Sequence, residues 1–329
     1  MQPLGGWNDL HREVPSKKPR WKAQDPSWQG NHPFKKTEKQ KPIVITNDKI
    51  LNTYYGCVGH RISSTVYIST KKIGHFGTFE VPPGMYFSPA DIHDGDEVYY
   101  IISGTLTQFN PETGEVHEVK EGEALWIPIG CWHQSHNFSC EQLKLLDVIA
   151  PYAWWPEEGV PPEYTGKPKV YGVESINSKK DQKSSTTYDS HRWQLQVSCG
   201  IDLLGEFPIQ GSEGRKPPIS MVRIPRDKML RLIHGKDYRI PVTFYVSNDL
   251  LNMGEFTIFP RAWSEPESHK GEEAIYVLEG TLMVILPGSE ETFKVEKTEG
   301  FFCPAGVEHQ YWNATDKPVK AIFAIVPEL

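Results

Sequence analysis

Two sets of histidine and glutamate side chains recur along this chain at a fixed separation. The repeated pairs are His93 and His269, Glu97 and Glu273, and His133 and His309. In each pair the second residue follows the first by 176 positions. Two imidazoles and one carboxylate match the facial ligand arrangement of non-haem Fe(II) sites, which leaves positions on the metal open for substrate or O₂. The spacing therefore predicts a metal site that the chain contains twice.

Turn-forming residues repeat at the same separation. They are Gly104, Pro128, Gly130 and Asn137 in the first copy and Gly280, Pro304, Gly306 and Asn313 in the second. The segment RISSTVYIS at 61–69 also resembles RIPVTFYVS at 239–247, at a separation of 178 residues. Repetition over this length indicates an internal duplication, so we expect two domains with the same fold.

Short runs of alternating or β-branched residues predict strands in both copies. Examples are EVYYIISGTLTQF in the first copy and EAIYVLEGTLMVIL in the second. Turn signals such as PETG separate these runs, and no convincing amphipathic helix interrupts them. We therefore predict an all-β protein with two barrels. The predicted segments are an extended N-terminal arm at 1–50, a first barrel at 51–150, a connector at 151–195 and a second barrel at 196–329.

Composition argues against some classes of function. The formal charge of −7 disfavours a general nucleic-acid binder, which would usually be basic. The five cysteines fit no disulfide or zinc framework, so we expect reduced thiols and a cytoplasmic protein. The N-terminus has no secretion-signal pattern and no apolar stretch approaches about 18 residues, so we expect no membrane partner. Large aromatic residues in the arm favour packing against its own body or a second subunit, which leaves a homodimer open.

The ligand and turn residues together resemble the two cupin motifs. GEALWIPIGCWHQSHN at 122–137 is similar to the second motif, and HDGDEVYYIISG at 93–104 is similar to the first. The C-terminal copies are PAGVEHQYWN at 304–313 and HKGEEAIYVLEG at 269–280. The resemblance implies a bicupin, in which one polypeptide forms two small antiparallel cupin (double-stranded β-helix, or jelly-roll) barrels. It also implies that the repeated histidines and glutamates hold a metal ion.

Both copies depart from the family pattern at one position. The first cupin motif usually contains His-x-His, whereas this chain has Asp91 and Glu267 in place of the first histidine. Each acid could be a fourth metal ligand, or it could stand off the metal and orient a ligand or accept a proton. Tyr311, two residues after His309, is a candidate proton donor. The catalytic candidates are therefore Asp91, Glu267 and Tyr311.

Four residues are candidates for binding a substrate. Arg61 and Arg239 occupy equivalent positions at the start of the repeated strand and could clamp a carboxylate, although a salt bridge at the barrel rim explains them equally well. Tyr99 and Trp126 could line the first site, although aromatic residues in a barrel more often belong to its core. Three further histidines without supporting spacing are interpreted as surface or structural residues, namely His60, His136 and His234.

The sequence favours a metal-dependent enzyme that acts on a small polar organic molecule, such as a carboxylate. Our first expectation is an Fe(II) dioxygenase, with Mn, Zn or Ni as alternatives to iron. The second is a sugar-type isomerase or a lyase that uses the ion as a Lewis acid. The third is a non-enzymatic binding or storage cupin, for which a secretion signal would be expected. One or both barrels could also lack metal and keep the repeated residues as a buried hydrogen-bonded group.

Overall fold

Strands account for nearly all of the regular structure. The computed structural model describes residues 33–55, 62–87, 90–153 and 200–329. The strands of the first half are β1 (Ile43–Ile45), β2 (Leu51–Tyr55), β3 (Ile62–Ile68), β4 (His75–Val81), β5 (Asp94–Ser103), β6 (Thr105–Phe109), β7 (Val116–Lys120), β8 (Ala124–Ile127), β9 (Gln134–His136) and β10 (Leu143–Tyr152). The strands of the second half are β11 (Val222–Ile224), β12 (Leu230–His234), β13 (Ile240–Ser247), β14 (Asn252–Ile258), β15 (Glu272–Glu279), β16 (Thr281–Leu286), β17 (Glu291–Glu296), β18 (Gly300–Cys303), β19 (Gln310–Trp312) and β20 (Val319–Val326).

Helical segments within the described ranges are single short turns. They are Glu38–Gln40, Gly200–Leu203, Gly211–Gly214 and Arg226–Lys228. None of these has the length and apolar character that a membrane crossing requires. The prediction of an all-β chain is confirmed. Most of the predicted arm (1–32) and of the predicted connector (154–199) lies outside the described residues, and the predicted domain boundaries stay predictions.

The strands form two equivalent barrels, each made of a large and a small sheet. The first barrel combines a seven-stranded sheet in the order β11-β8-β5-β10-β4-β3-β2 with a three-stranded sheet in the order β7-β6-β9. The second barrel repeats this arrangement with β1-β18-β15-β20-β14-β13-β12 and β17-β16-β19. Neighbouring strands are antiparallel and often distant in sequence, for example β5 beside β10. This jelly-roll order brings separated segments to one barrel interior.

Each half of the chain contributes one short strand to the other barrel. β1 pairs with β18, with Ile45 opposite Gly300. β11 pairs with β8, with Val222 opposite Trp126. Backbone hydrogen bonds of the exchanged strands therefore tie the two barrels together. Phe34, which precedes β1, is only 7% exposed, so the described part of the predicted arm packs on its own chain.

Aromatic side chains fill the space between the barrels. Tyr67 packs edge-on against Tyr276, with ring centroids 5.4 Å apart. Tyr100 stacks on Tyr245 with centroids 4.7 Å apart. The duplication relates Tyr67 to Tyr245 and Tyr100 to Tyr276, so these are equivalent contacts across one interface. All four rings belong to a hydrophobic cluster that contains residues of both barrels, which therefore share a continuous core.

A buried carboxylate on β5 also joins the two barrels. Asp96 is fully buried and accepts hydrogen bonds from Trp126 Nε1 at 3.0 Å and from Ile129 N at 2.9 Å. From the second half of the chain, Asn248 Nδ2 donates at 2.9 Å, and Arg215 donates through Nε at 2.9 Å and Nη2 at 2.6 Å. These bonds fix the strand that carries the glutamate of the first predicted metal site.

Candidate metal centres

Backbone pairing brings the first set of predicted ligands together. Asp91 and His133 form an isolated antiparallel bridge, in which Asp91 N donates to His133 O at 2.7 Å and His133 N donates to Asp91 O at 3.0 Å. Gly130 N donates to His93 O at 3.1 Å, which ties the Pro-x-Gly turn to the segment before β5. Glu97 follows on β5 itself. The repeated turn thus delivers His133 to the other ligands.

The second set is assembled in the same way. Glu267 and His309 form the equivalent bridge, and each donates its backbone N–H to the other's carbonyl at 2.9 Å. Gly306 N donates to His269 O at 2.8 Å. Glu273 lies on β15, the strand that corresponds to β5. The two clusters therefore have one common backbone design.

The other repeated residues support the backbone around each cluster. Asn137 and Asn313 each donate two side-chain hydrogen bonds to backbone carbonyls, at 2.7 to 2.9 Å. Gly130 and Gly306 have φ angles of 77° and 76°, which are accessible to glycine without the steric cost that a side chain would bring. These positions recur because the turn requires them.

The first cluster has the spacing of atoms that share one metal ion. His133 Nε2 lies 3.0 Å and His93 Nε2 lies 3.5 Å from Glu97 Oε2. Asp91 Oδ2 lies 3.7 Å from His93 Nε2, and the ligand atoms of Asp91, His93 and His133 all lie within 4.8 Å of one another. Two atoms that bind one ion at about 2.1 Å are about 3.0 Å apart at a right angle and about 3.4 Å apart at the tetrahedral angle. The four side chains therefore fit a divalent metal.

Hydrogen bonds on the far side of each ring leave the inward nitrogen available to a metal. His93 Nδ1 donates to Ala153 O at 2.7 Å, and His133 Nδ1 donates to Cys131 O at 2.9 Å. Because a carbonyl only accepts, Nδ1 carries the hydrogen, and the neutral ring keeps a lone pair on Nε2. In this tautomer neither ring donates a proton to the buried Glu97 Oε2, although His133 Nε2 lies 3.0 Å from it. Such an oxygen is costly without a compensating cation, which is a second observation that fits a metal.

The second cluster meets the same test. His309 Nε2 lies 2.9 Å and His269 Nε2 lies 3.8 Å from Glu273 Oε2. The ligand atoms of Glu267, His269 and His309 lie within 4.8 Å of one another. His309 Nδ1 donates to Val307 O at 3.0 Å. The buried Nε2 atoms of both histidines lack a hydrogen-bond partner within the described ranges, so this set also fits a divalent metal.

Two side chains hold the acids of the second cluster in place. Tyr311 Oη donates to Glu273 Oε2 at 2.7 Å, so this predicted catalytic residue does lie beside the predicted ligands. His234 Nε2 lies 3.0 Å from Glu267 Oε2. The hydrogen bond to Glu267 raises the pKa of His234, and partial burial opposes it only weakly. The interpretation of His234 from sequence missed this ion pair.

Burial and the imidazoles act in opposite directions on the acids of the first cluster. Burial acts to raise the pKa of Glu97, but the charges of His93 and His133 outweigh it, so the pKa lies below its ordinary value. For Asp91 burial dominates and raises the pKa. Burial acts to lower the pKa of His133, but the charge and hydrogen bonding of Glu97 raise it above its ordinary value. Glu97 is therefore the carboxylate that stays ionised.

In the second cluster the pKa values of the glutamate and of the histidine are shifted in the same directions as in the first. Burial acts to raise the pKa of Glu273, but His309 lowers it below its ordinary value. Burial acts to lower the pKa of His309, but chiefly the charge of Glu273 raises it, to about 11. Burial and the charge of Glu273 raise the pKa of Tyr311 well above its ordinary value. The tyrosine therefore keeps its proton and donates it to the glutamate.

A small polar cavity lies beside the first cluster. Its volume is about 50 Å³, which is room for one or two water molecules at roughly 30 Å³ each. Its walls include His75, Tyr99 and Asp147 in addition to the predicted ligands. His75 Nε2 lies 3.3 Å from Asp147 Oδ2. Burial, followed by the charge of Glu97, raises the pKa of Asp147 well above its ordinary value, and burial lowers the pKa of His75 to about 4. His75 is therefore neutral at neutral pH, and the carboxyl of Asp147 is easier to protonate than that of an ordinary aspartate.

The cavity of the second barrel is larger and mostly apolar. Its volume is about 370 Å³, within the range of small-molecule sites. Its floor carries Glu267, His269 and Glu273 of the predicted ligands together with Tyr311. Its apolar walls include Ile240, Val242, Phe244, Phe256, Phe323 and Ile325. The two barrels thus combine similar ligand clusters with different cavities.

The two aromatic residues predicted to bind substrate lie in different places. Tyr99 is in the wall of the first cavity, which Glu97 also lines. Trp126 lines neither cavity. It packs in the core between the barrels, because the alternation of β8 turns its neighbours Leu125 and Ile127 into the barrel interior and Trp126 to the opposite face. Its position gives no support to a role in substrate binding.

Of the two arginines predicted to bind substrate, the structure describes only Arg239. Arg239 is exposed just before β13 and donates from Nε to Lys236 O at 3.2 Å. It contributes to the wall of neither barrel cavity. Arg61 lies outside the described residues.

His75 and Asp147 are site residues that sequence reasoning missed. The second copy has Asn252 and Phe323 at the equivalent positions, so the repeat does not mark them. Asp147 nevertheless leaves a signal, since it is a lone acid within the apolar run LLDVIA. A charged residue in a strand that is otherwise apolar has to be paired or functional when the strand is buried.

A family model for the cupin domain matches the chain twice, at residues 77–149 and 254–325. Each match falls in one barrel and contains one complete set of repeated histidines and glutamate. The chain is a bicupin of the cupin superfamily. A search of curated proteins by sequence found no match to this bicupin.

Solved structures share the fold of this bicupin at low sequence identity. AerE from Microcystis aeruginosa has a TM-score of 0.53 at 11% identity, over 84% of this chain and 97% of AerE. The protein Ylba from E. coli has a TM-score of 0.54 at 14% identity, over 87% and 90% of the two chains. The Lactobacillus farciminis oxalate decarboxylase, in a formate complex, has a TM-score of 0.53 at 12% identity, over 88% and 86%. At such identities the likeness shows the two-barrel fold alone.

Proposed function

We propose that this bicupin is a metal-dependent enzyme whose first barrel acts on a small polar organic molecule. The observation that carries the proposal is the convergence of two imidazole Nε2 atoms and two carboxylates beside a buried polar cavity. The rings are held in the tautomer that leaves Nε2 free for a metal. A purely structural cluster would have no need of this arrangement.

Named side chains would hold the ion in each barrel. In the first, His93, Glu97 and His133 are the ligands, with Asp91 as a fourth ligand or as a base beside them. The second set is Glu267, His269, Glu273 and His309. When bound, a divalent ion supplies Lewis acidity, and Fe(II) also supplies a reactivity toward O₂ that side chains lack.

The walls of the first cavity supply groups that hold and move protons. Burial raises the pKa of Tyr99 well above its ordinary value, so its hydroxyl stays protonated and donates a hydrogen bond to Glu97 or to a substrate oxygen. Asp147, whose pKa is raised by burial, and His75, whose pKa is lowered by burial, lie 3.3 Å apart. Such a pair can exchange a proton with a substrate that lies against it. The small volume limits the size of the substrate.

Within this class, an Fe(II) dioxygenase is our first proposal. Two histidines and one carboxylate on one face of a site are the set that non-haem Fe(II) oxygenases use. Mn, Zn and Ni are the alternative ions for the same ligands. The fold is shared with an oxalate decarboxylase that was solved with formate, and a small carboxylate is a suitable substrate class for the first cavity.

A Lewis-acid isomerase or lyase is the second proposal. The His75–Asp147 pair favours it, because proton transfer next to a polarised carbonyl is the central step of such reactions. The pair lies within the first barrel alone, since the second barrel has Asn252 and Phe323 at these positions. Both proposals therefore place the chemistry in the first barrel.

Metal analysis of protein purified without oxygen tests the ligand assignment. The protein is expected to hold one or two equivalents of a divalent ion. His133→Ala should remove the ion of the first barrel and His309→Ala the ion of the second. His117→Gln is the matched control, because His117 is also buried but bonds to Glu115 away from both clusters. Unchanged metal content in both alanine variants would show that the ligand assignment is wrong.

Oxygen uptake separates the two proposed reaction classes. An Fe(II) dioxygenase consumes O₂ with a panel of small carboxylates and loses this activity in His133→Ala. A lyase or isomerase transforms a substrate without O₂ and loses activity in Asp147→Asn, which keeps the shape but not the acid. Tightly held zinc with no O₂ uptake would refute the dioxygenase and leave the second proposal standing.

A further inference from the structure

The second cavity differs from the first most clearly in its walls. Strand register identifies the equivalent positions, because Asp147 lies opposite Gly77 and Tyr99, and Phe323 lies opposite the corresponding Gly254 and Ile275. The paired replacements are His75 by Asn252, Tyr99 by Ile275 and Asp147 by Phe323. All three groups that could move a proton in the first wall are therefore lost in the second.

Further replacements on β13 extend the apolar wall. Ser64 of the first cavity corresponds to Val242 of the second, and Val66 corresponds to Phe244. Phe323 packs edge-on against Phe244 at 5.3 Å between centroids. The aromatic wall is therefore a packed surface with a defined shape.

The mouth of the second cavity is also apolar. Ile201 is 64% exposed, Ile233 is 67% exposed and Leu329 is 40% exposed, and all three line this cavity. Three large apolar side chains around one opening form the kind of exposed patch that marks a binding site. A molecule that fills the cavity to its mouth would cover them.

The polar end of the second cavity is the ligand cluster, with Tyr311 beside Glu273 and the half-exposed His234 beside Glu267. His269 Nε2 is buried without a hydrogen bond in the described structure, and the oxygens of Glu267 and Glu273 lie nearby. This end fits a ligand oxygen that joins the metal set, whereas the remaining walls offer a ligand few hydrogen-bond partners. A ligand that matches both parts has one polar end and an apolar body.

We propose that the second barrel binds an organic acid with an apolar body, its carboxylate at the ligand cluster and its hydrocarbon part against the aromatic wall. The inference goes beyond the function proposed for the first barrel, because it assigns the second barrel a different ligand class. It requires binding only and does not depend on which reaction the first barrel performs.

A homologous series of carboxylates tests the proposal by calorimetry. Acetate, butanoate, hexanoate and 3-phenylpropanoate are titrated into the metal-loaded protein without O₂, so that no turnover occurs. Each CH₂ buried in the cavity contributes about 0.8 kcal/mol, which is about a fourfold gain in affinity per CH₂. Affinity is therefore expected to rise steadily from acetate to hexanoate.

Two variants locate the binding. Val242→Ser introduces into the second cavity the serine that the first cavity has at the equivalent position, Ser64. It should weaken hexanoate binding several-fold more than acetate binding. Ile233→Ser acts at the exposed mouth, where it cannot disturb the core, and should weaken the longest ligands selectively. Val116→Ser is the matched control, because Val116 is an exposed strand residue of the first barrel.

Two results would overturn the proposal. One is an affinity that does not change with chain length, and the other is a chain-length dependence that neither Val242→Ser nor Ile233→Ser alters. Neither result bears on the function proposed for the first barrel, because that function is tested by turnover. The chain-length dependence should persist in His133→Ala, which separates failure of the function proposed for the first barrel from failure of this inference.

Discussion

Replacement of Asp96 by asparagine tests whether one buried carboxylate links the two barrels and the first metal cluster. Asp96 Oδ1 accepts from Ile129 N and Arg215 Nε. Asp96 Oδ2 accepts from Trp126 Nε1, Arg215 Nη2 and Asn248 Nδ2. An asparagine has the same shape but turns one oxygen into an NH₂ group that cannot accept. Whichever oxygen is replaced, at least two partly or fully buried donors lose their acceptor.

The size of the effect follows from these bonds. A buried donor without a partner costs about 1–3 kcal/mol, and loss of one partner of a buried ion pair costs about 3–5 kcal/mol. The side chain of Asp96 is fully buried and that of Arg215 is 14% exposed, so the pair is shielded from water. We expect Asp96→Asn to lower the free energy of unfolding by about 3–5 kcal/mol, a large part of the stability of a typical protein.

Urea unfolding followed by tryptophan fluorescence and far-UV circular dichroism measures this difference. Coincidence of the two signals tests two-state behaviour, and the slope m checks that the same surface is exposed in each variant. Asp249→Asn is the matched control, because Asp249 also pairs with Arg215, at 2.8 Å, but its side chain is 61% exposed. We expect the control to cost less than about 1 kcal/mol. The reasoning fails if both variants have equal cost or if Asp96→Asn costs less than about 1 kcal/mol.

Three further predictions follow from single sites. Gly77→Ala would place a Cβ 2.1 Å from a backbone carbonyl oxygen of the neighbouring strand and should lower the free energy of unfolding in urea by about 3 kcal/mol. Gly288→Ala is the control, because its Cβ meets nothing within 4 Å and should leave the stability unchanged. Equal effects of the two substitutions would contradict the packing. Tyr311→Phe removes the hydrogen bond to Glu273 and should weaken metal binding in the second barrel about 10–100-fold in chelator competition, without effect on the first. Burial lowers the pKa of Lys39 from 10.5 to about 8, so the unfolded state binds more protons than the folded state between these pH values. The stability of the wild type relative to Lys39→Met should therefore rise from pH 8 to pH 10. Urea midpoints of the two proteins that run parallel across this range would refute the assignment.

Ligand positions could be predicted because local rules determine them. His133 and His309 follow a Pro-x-Gly turn, and that turn bonds back to the segment of the other histidine in each barrel. The glutamates lie on the strand that follows His93 or His269, where every second side chain points to the same face. Repetition of this arrangement identified two sites and one fold without any knowledge of tertiary packing.

Other features depended on information that a local pattern does not carry. β1 and β11 are only three residues long, and their pairing with the opposite barrel is set by contacts across the whole molecule. Trp126 was a candidate for lining the first site, but its ring packs in the core between the barrels. On a strand that is buried on both faces, neither composition nor hydrophobicity distinguishes the inward face from the outward one. A wrong choice of face moves a side chain from the cavity to the core.

Both barrels have a tyrosine beside the glutamate of the ligand cluster, although their cavities differ. In the first barrel Tyr99 on β5 lines the cavity together with Glu97, whereas in the second Tyr311 on β19 donates a hydrogen bond to Glu273. The position equivalent to Tyr99 is Ile275, and the position equivalent to Tyr311 is Ser135. One phenol per glutamate is therefore present in both barrels, although it comes from a different strand.

The strand that supplies the tyrosine affects the shape of the cavity. A tyrosine on β5 gives the first cavity a polar wall next to Asp147, and with His75 it leaves a volume of only about 50 Å³. When the phenol is supplied from β19 instead, Ile275 takes the strand position of Tyr99 and Phe323 replaces Asp147 in the wall. The cavity then has a volume of about 370 Å³. Both barrels thus keep a tyrosine beside the glutamate, while the strand that supplies it and the cavity around it differ.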